Sequence, residues 1–273
     1  MTDKKEKKSK HVGMYIFLII VSFLCVFPLY WMVIAATNTS NDVLAGTLLP
    51  GANLLQNLKT LTSNYDVPTA MWNSFKYAAA QTILCLLICS LAGYGFEIYH
   101  DKNKDRLMAV IMLAMMIPQV AIMVPLFKMM SGWGFLNKAI GFVLPAISTP
   151  FMIMLFRSNA RTFPVDIIDA ARVDGVSEIG IFFKMFVPVM RSTYAAAMTI
   201  TFMNAWNAYL WPKVIMTKTD AMTMPMLISN MTSGYLTDYG MMMLGVLICS
   251  APTIIIFFVL QKSFANGIAG AVK

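Results

Sequence analysis

The chain has 273 residues, of which 58% are hydrophobic and only 12% are charged, and its formal net charge is +8. Its mean hydropathy is +0.67. Soluble domains typically contain about 45–50% apolar and about 25% charged residues, so this composition excludes a soluble enzyme. The apolar residues are gathered into blocks, which is typical of a membrane protein.

Six segments are apolar and free of Asp, Glu, Lys and Arg. They are residues 12–36, 77–96, 107–127, 139–156, 193–211 and 241–260. A helix needs about 20 apolar residues to cross the hydrocarbon core, and these segments lack the alternation of barrel strands. We therefore predict an all-α polytopic membrane protein with six transmembrane helices. Pro118, Pro125, Pro145 and Pro150 predict kinks in the third and fourth of them.

The basic residues predict the orientation. Fifteen Lys and Arg lie in the N-terminal segment, 97–106, 157–191 and the tail, whereas the opposite loops hold six. The positive-inside rule places both termini in the cytoplasm, which an even number of spans also requires. This bias explains the net charge without nucleic-acid binding. The first span has no small-residue cleavage site, so we interpret it as a retained helix rather than a signal peptide.

The motifs of catalysis are missing from the sequence. It has no phosphate-binding G-x-x-x-x-G-K-[ST] motif and no hydrolase or protease motif, so we do not expect an enzyme. The spans hold no ionisable residue of the kind that couples an ion gradient to transport. Cys85 and Cys89 lie one helical turn apart without a nearby His, which favours helix packing over a metal site.

The inner segment 157–192 predicts two short helices joined by a turn. Pro164 and Asp166 are typical of a first helical turn, and Gly175 supplies the turn that follows. After it, an apolar stripe at i, i+3, i+4 and i+7 predicts a second amphipathic helix; its members are Ile179, Phe182, Phe183 and Phe186. The pair is suited to docking into a partner's groove or to lying on the membrane surface, and spacing alone does not decide between them.

The same segment resembles a known family. Asp169-Ala170-Ala171, Gly175 and Met185-Phe-Val-Pro188 have the spacing of the E-A-A-x3-G-x9-I-x-L-P loop of ABC importer membrane subunits. Asp replaces the usual Glu at 169, and Met and Val replace Ile and Leu. Further stretches, at 116–119, 134–137, 205–212 and 267–273, resemble the second permease subunit of maltose-type importers. The likeness extends from Trp72 to the C-terminus and implies an ABC importer type I permease.

This resemblance implies partners and site residues. It implies a second permease subunit, two ATPase subunits that bind ATP and Mg, an extracytoplasmic solute-binding protein and a sugar, with no cofactor on this chain. A coupling helix at 164–176 would contact an ATPase subunit. Its contact residues would be Asp169, Ala170, Ala171, Asp174, Gly175 and Pro188. The outer loop 213–238, including Lys218, Met224 and Asn230, would face the binding protein. We expect three regions: 1–70, the transmembrane core 71–265, and the cytoplasmic tail 266–273.

The fifth span carries candidate residues for the translocation path. Asn204 and Asn207, with Trp206 and Tyr209, combine amide groups with aromatic rings, as sugar sites do. The alternative is that the rings form an interfacial belt and the amides join helices.

We therefore expect a permease that moves an oligosaccharide by alternating access in the lipid membrane. One alternative is a glycerol-phosphate importer, whose anionic solute would favour Lys or Arg in the spans. Another is an ion-coupled secondary transporter, and a third is a sensor or scaffold that moves no solute.

Overall fold

The computed structural model describes residues 2–232 and 237–271, and in these ranges it contains helices and turns but no strand. The helices in chain order are α1 Thr2–Ala36, α2 Ser40–Leu44, α3 Leu54–Asn64, α4 Val67–Ile98, α5 Lys102–Ala114, α6 Gln119–Gly132, α7 Ala139–Val143, α8 Pro150–Ala160, α9 Val165–Val173, α10 Glu178–Ile181, α11 Val187–Val189, α12 Arg191–Trp206, α13 Leu210–Ile215, α14 Met224–Met231 and α15 Tyr239–Ala271. Two 3₁₀ turns, Leu144–Ala146 and Thr219–Ala221, and one π-helical turn, Phe182–Phe186, complete the described helical structure.

One compact unit consists of residues 1–67 and 227–251. From residue 13 to residue 30 helix α1 exposes its side chains, and it is buried at its end, at Ile34, Ala35 and Ala36. Beyond that end, Nδ2 of Asn57 donates hydrogen bonds to the carbonyl oxygens of Ala36 and Asn38, at 2.9 and 3.0 Å. A Cβ atom on Gly240 would lie 2.3 Å from the Asn38 oxygen. A side-chain amide thus satisfies carbonyl groups that have no partner within the helix.

The second compact unit consists of residues 68–226 and 252–273, and α4 runs through it. Apolar clusters lie along the length of this helix. Near its start Tyr77 packs with α7 and α13, and at its middle Cys85 packs with Phe156 of α8. Near its end the Tyr94 ring lies 4.9 Å from the ring of Phe186. Helix α4 is therefore a common packing partner for the elements that carry the candidate functional residues.

Helices α4 and α8 cross closely at Gly93. A Cβ atom there would lie 2.6 Å from Cβ of Phe156 and 2.7 Å from the backbone nitrogen of Arg157. Small residues permit such close approach between membrane helices, where packing drives association. This crossing requires glycine at position 93, because any side chain there would push the two helices apart.

The chain is a polytopic helical membrane protein. Within the described residues, three uninterrupted helices are long and apolar enough to cross a membrane: Gly13–Ala36, Val67–Ile98 and Tyr239–Val259. Two bent pairs also satisfy this criterion when each pair is taken as one span. The remaining predicted span corresponds to α12, which has 16 residues. The six predicted spans are consistent with this arrangement, and the proposed division into three regions stays a prediction.

The kink predicted in the third span is a complete break between two helices. Helix α5 ends at Ala114, α6 begins at Gln119, and the two axes differ by 96°. Pro118 stands at the break, where its missing N–H group and fixed φ prevent the helix from continuing. The predicted fourth span bends by 50° before α8, which Pro150 begins. Pro125 lies inside α6, which continues through it.

Candidate coupling, translocation and docking surfaces

Helix α9 forms the predicted first helix of the 157–192 segment, and Gly175 ends it. The Gly175 φ angle is +75°, in the left-handed region that L-residues other than glycine rarely adopt. The Val176 N–H group donates to the Ala171 carbonyl at 2.9 Å, and Gly175 N–H donates to the Arg172 carbonyl at 3.0 Å. This pair of bonds is a Schellman motif, so the chain turns sharply immediately after α9.

The two faces of α9 differ. Ile168 is fully buried and Ala171 is 4% exposed, in an apolar cluster with Phe163 and Phe182. The opposite face and the turn are open to solvent. Val173 is 88% exposed, and the other exposed members are Asp169, Ala170, Asp174 and Gly175. Most of the predicted coupling residues therefore lie on the free surface, whereas Ala171 faces inward.

The segment after Gly175 departs from the predicted regular helix. Ile179 is 73% exposed and Phe183 is 50% exposed, whereas Phe182 and Phe186 are buried. A π-helical turn at 182–186 adds a residue to the helical turn, and the rings of Phe182 and Phe186 stack 5.5 Å apart within it. The predicted stripe of Ile179, Phe182, Phe183 and Phe186 is therefore wrong for Ile179 and Phe183. Pro188 is exposed within α11.

A charged cluster spans the Gly175 turn. The Nε group of Arg172 donates to Oε1 of Glu178 at 2.8 Å, and Arg172 Nη1 lies 3.4 Å from Oδ1 of Asp169. The Tyr99 hydroxyl donates to the other oxygen of Glu178. The Arg172 guanidinium, followed by the Tyr99 hydroxyl, holds the pKa of Glu178 below its usual range. The hydrogen bond to Glu178 raises the pKas of Tyr99 and Arg172.

A second charged cluster is more deeply enclosed. The Arg157 side chain is 7% exposed, and its Nε donates to Oε2 of Glu97 at 3.2 Å. Its Nη2 group binds Asp105, so one guanidinium joins the ends of α4 and α8 to α5. Arg161 also contacts Glu97, at 3.4 Å, but its side chain is 62% exposed. In the sequence these residues count only as loop charges, and no spacing pattern indicates that they pair.

The predicted translocation residues divide into two groups. Asn204 and Asn207 are exposed, whereas Trp206 is 1% exposed and stacks on Phe202 at 5.8 Å. Tyr209 is half-buried, with the Lys213 ammonium 5.5 Å from its ring. The two amides therefore lie on the surface of the chain, and Trp206 belongs to the packed interior.

Two exposed aromatic side chains were not predicted from the sequence as candidate functional residues. Trp72 is 61% exposed and Phe75 is 48% exposed, and their rings stack 6.0 Å apart near the start of α4. Their i, i+3 spacing is visible in the sequence, but the same spacing occurs in ordinary helix packing.

Side-chain amides hold the segment 216–224 in place. Asn137 has a φ of +59°, and its Oδ1 accepts hydrogen bonds from the backbone N–H groups of Thr217 and Lys218, at 2.6 and 2.8 Å. Nδ2 of Asn73 donates to the carbonyl oxygens of Asp220 and Met222, at 2.7 and 2.9 Å. The segment is thus fixed through its backbone.

The predicted binding-protein-facing residues have different environments. Lys218 is exposed, Met224 is fully buried and Asn230 is half-buried. Of the loop predicted at 213–238, residues 233–236 lie outside the described residues. Lys218 can therefore meet a partner directly, whereas Met224 contributes to the packing beneath the surface.

Comparisons with known proteins agree on one family. Residues 91–270 match the family described as binding-protein-dependent transport system inner membrane component. The lactose transport system permease protein LacG of Rhizobium radiobacter is 43% identical over 273 residues, covering 100% of both chains. The arabinooligosaccharides transport system permease protein AraQ of Bacillus subtilis is 30% identical, covering 96% of this chain and 95% of the relative.

A solved structure has the same fold. It is a chain of a bacterial ABC transporter involved in the import of the acidic polysaccharide alginate, with a TM-score of 0.83, 18% identity, and coverage of 95% of this chain and 98% of that chain. The family match extends over more than half of the sequence. The chain therefore belongs to the binding-protein-dependent transport system inner membrane components, the permease subunits of ABC importers.

Proposed function

We propose that this permease forms half of the translocation path of an ATP-driven importer for an oligosaccharide. Two relatives aligned over nearly the whole chain are named for the transport of lactose and of arabinooligosaccharides. The relative named for lactose is 43% identical. A second permease subunit would supply the other half of the path, and alternating access would expose it to each side in turn.

The observation that carries this proposal is the exposed tip of α9. Val173 and Ala170 form a small apolar surface beside the carboxylates of Asp169 and Asp174, at a sharp turn. An apolar tip with a charged rim is suited to a cleft in another protein, where the tip is desolvated and the rim gives specificity. We assign this cleft to an ATPase subunit, which would also bind ATP and Mg. Helix α9 is accordingly the coupling helix.

The charge bias of the sequence supports an orientation with both termini in the cytoplasm. It places α9 in the cytoplasm and the segment 216–224 on the outer side. A solute-binding protein would then dock against that segment, with Lys218 and Asp220 as exposed charges. Met224 would support this surface from within rather than contact the partner.

Asn204 and Asn207 are the residues we assign to the solute. Their amides are exposed, and each offers both a donor and an acceptor to sugar hydroxyl groups. Trp206 would hold α12 in place through its stack on Phe202.

The test is uptake of labelled sugars into proteoliposomes that contain the full complex of permeases, ATPase subunits and binding protein. We expect ATP-dependent uptake of lactose or an arabinooligosaccharide, and an Asn204→Ala/Asn207→Ala variant with reduced uptake. Glycerol 3-phosphate is the comparison solute, because ATP-driven uptake of it alone would contradict the sugar assignment. Uptake that ignores ATP and follows an ion gradient would contradict the importer itself.

A further inference from the structure

The charged cluster at the Gly175 turn connects three elements. Arg172 belongs to the last turn of α9, and Glu178 is the first residue of α10. Their 2.8 Å contact therefore links the two helices across the turn. Tyr99 directly follows α4, and its hydroxyl donates to the same Glu178 carboxylate. The Arg172 guanidinium carbon also lies 5.9 Å from the centroid of the Tyr99 ring.

These contacts differ in kind from the packing beneath them. Ile168 and Ala171 attach α9 to the apolar cluster, and apolar contact has no directional preference. Charge-assisted hydrogen bonds are short and directional, and the fork of a guanidinium is rigid. The apolar face therefore fixes where α9 lies, and Arg172 fixes its angle to the end of α4.

The exposure of the cluster argues against a role in global stability. The side chains of Arg172 and Glu178 are 39% and 47% exposed, and exposed ion pairs contribute little to the free energy of unfolding. At neutral pH the Glu178 carboxylate is nevertheless ionised, because its pKa is lowered. The Tyr99 hydroxyl stays protonated and can donate, because its pKa is raised. The pair therefore persists under the conditions in which the complex works.

We propose that Arg172, Glu178 and Tyr99 are positioning residues that make α9 and the end of α4 move as one body, so that a displacement of α9 reaches the transmembrane helix. The inference rests on the proposed function, in which α9 is the coupling helix. We call these three residues the elbow. Without the elbow, the ATPase subunits still bind and hydrolyse ATP, but less of each displacement reaches α4. The signature is a loss of solute moved per ATP, rather than a loss of both activities.

The first experiment measures sugar uptake and ATP hydrolysis in the same proteoliposomes. Glu178→Gln removes the charge with little change of shape, and Tyr99→Phe removes the hydroxyl but keeps the ring. We expect each to lower the uptake per ATP by about five-fold, with the amount of assembled complex unchanged. Lys184→Gln is the matched control, since Lys184 is an exposed charge of the same segment and has no ion-pair partner among the described residues.

Two outcomes would overturn the elbow in a complex whose wild type shows ATP-dependent uptake. If uptake and hydrolysis fall by the same factor, Arg172 and Glu178 serve the docking of the ATPase subunit only. If the ratio is unchanged in Tyr99→Phe, α9 is not linked to α4 through this residue. Wild-type uptake that ignores ATP would instead overturn the proposed function, and the elbow with it.

A chemical cross-link between positions 99 and 178 tests whether restoring the connection also restores the uptake per ATP. Tyr99→Cys and Glu178→Cys, combined in a Cys25→Ala chain, remove the elbow and leave the three buried cysteines unchanged. Joining the two new thiols with a short flexible bismaleimide should restore the uptake per ATP towards the wild-type ratio. A ratio that stays low or falls further after cross-linking would show that the two elements must separate during transport.

Discussion

Helix α4 is held by different chemistry at its two ends. Near its start, Asn73 donates to two carbonyl oxygens of the segment 216–224, and Ser74 accepts from the Met224 N–H group at 2.8 Å. Near its end, Glu97 pairs with Arg157 and Tyr99 joins the Arg172 cluster. One end is thus fixed by neutral bonds to backbone and the other by ionic bonds between side chains.

The neutral bonds hold a loop in place at the start of α4, whereas the ionic bonds fix the angles between helices at its end. A neutral amide that bonds to backbone fixes a loop whatever the salt concentration, because no net charge is involved. An ionic cluster responds to its exposure. Where it is enclosed, as at Arg157, loss of a member leaves charges that solvent compensates poorly, whereas at Arg172 solvent screens the loss. The two ionic clusters should therefore differ in whether their loss affects folding or coupling.

Removal of the enclosed charge should have the largest effect. Arg157→Met removes the enclosed cation that Glu97 and Asp105 share, and it leaves the Glu97 carboxylate, which is 19% exposed, with only the exposed Arg161 as a partner. We expect a loss of about 3 kcal/mol in the free energy of unfolding. The control, Arg161→Met, removes an exposed cation from the same Glu97 and should cost at most about 1 kcal/mol. Thermal unfolding of the purified complex in detergent measures both. Equal losses would mean that burial does not distinguish the two arginines.

Removal of a neutral amide should have the next largest effect. Asn73 is 1% exposed, and Asn73→Ala removes the Nδ2 donor from two carbonyl oxygens, at a cost of about 2 kcal/mol. This cost should be the same at about 50 mM and about 500 mM salt, because no charge is lost. Asn103→Ala, at an exposed residue of α5, is the control. A strong salt dependence of the Asn73 effect would remove the contrast between the two ends of α4.

The turn after α9 should respond to backbone strain. At a φ of +75°, Gly175→Ala should cost about 1 kcal/mol in the turn. We expect uptake to fall by about five-fold, the factor that corresponds to this free energy. Gly175→Asn should retain more uptake, since Asn tolerates left-handed backbone better than Ala. If the two variants lose uptake equally, contact with the partner rather than the φ angle limits position 175.

The smallest expected effect is that of pH. Because the pKa of Glu178 is lowered, its ion pair with Arg172 is fully formed at any pH above the ordinary carboxyl pKa. The ion pair is lost only as the pH falls through the lowered pKa. Because the pKa of Tyr99 is raised, its hydroxyl remains a donor as pH rises. The uptake per ATP should therefore be flat between about pH 6 and about pH 9. A change in the ratio within this range, while Glu178→Gln stays flat, would mean that Glu178 itself titrates there and would contradict its lowered pKa.

Local patterns predicted much of the fold and part of the candidate site. Gly175 was expected to form the turn, and the structure gives it a positive φ angle. The breaks at Pro118 and Pro150 were expected because proline lacks an N–H group. The stripe at 179–186 could not be predicted correctly, because the π-helical turn reflects packing against Tyr94 and Phe163 rather than any local periodicity. The sequence likewise gives no indication that Met224 is buried.

The sequence by itself determined that the chain is a multi-pass helical membrane protein, and it predicted two short helices joined by a turn at 157–192. Apolar length, proline and glycine act within one or two turns, so their effects can be deduced from neighbouring residues. Only the tertiary structure decided which charges pair, which face of α9 is buried and which part of the segment 216–224 is exposed. Glu97 and Arg157 are 60 residues apart, and Asn73 and Asp220 are 147 apart. Contacts at such separations depend on how the helices pack, which no local pattern encodes.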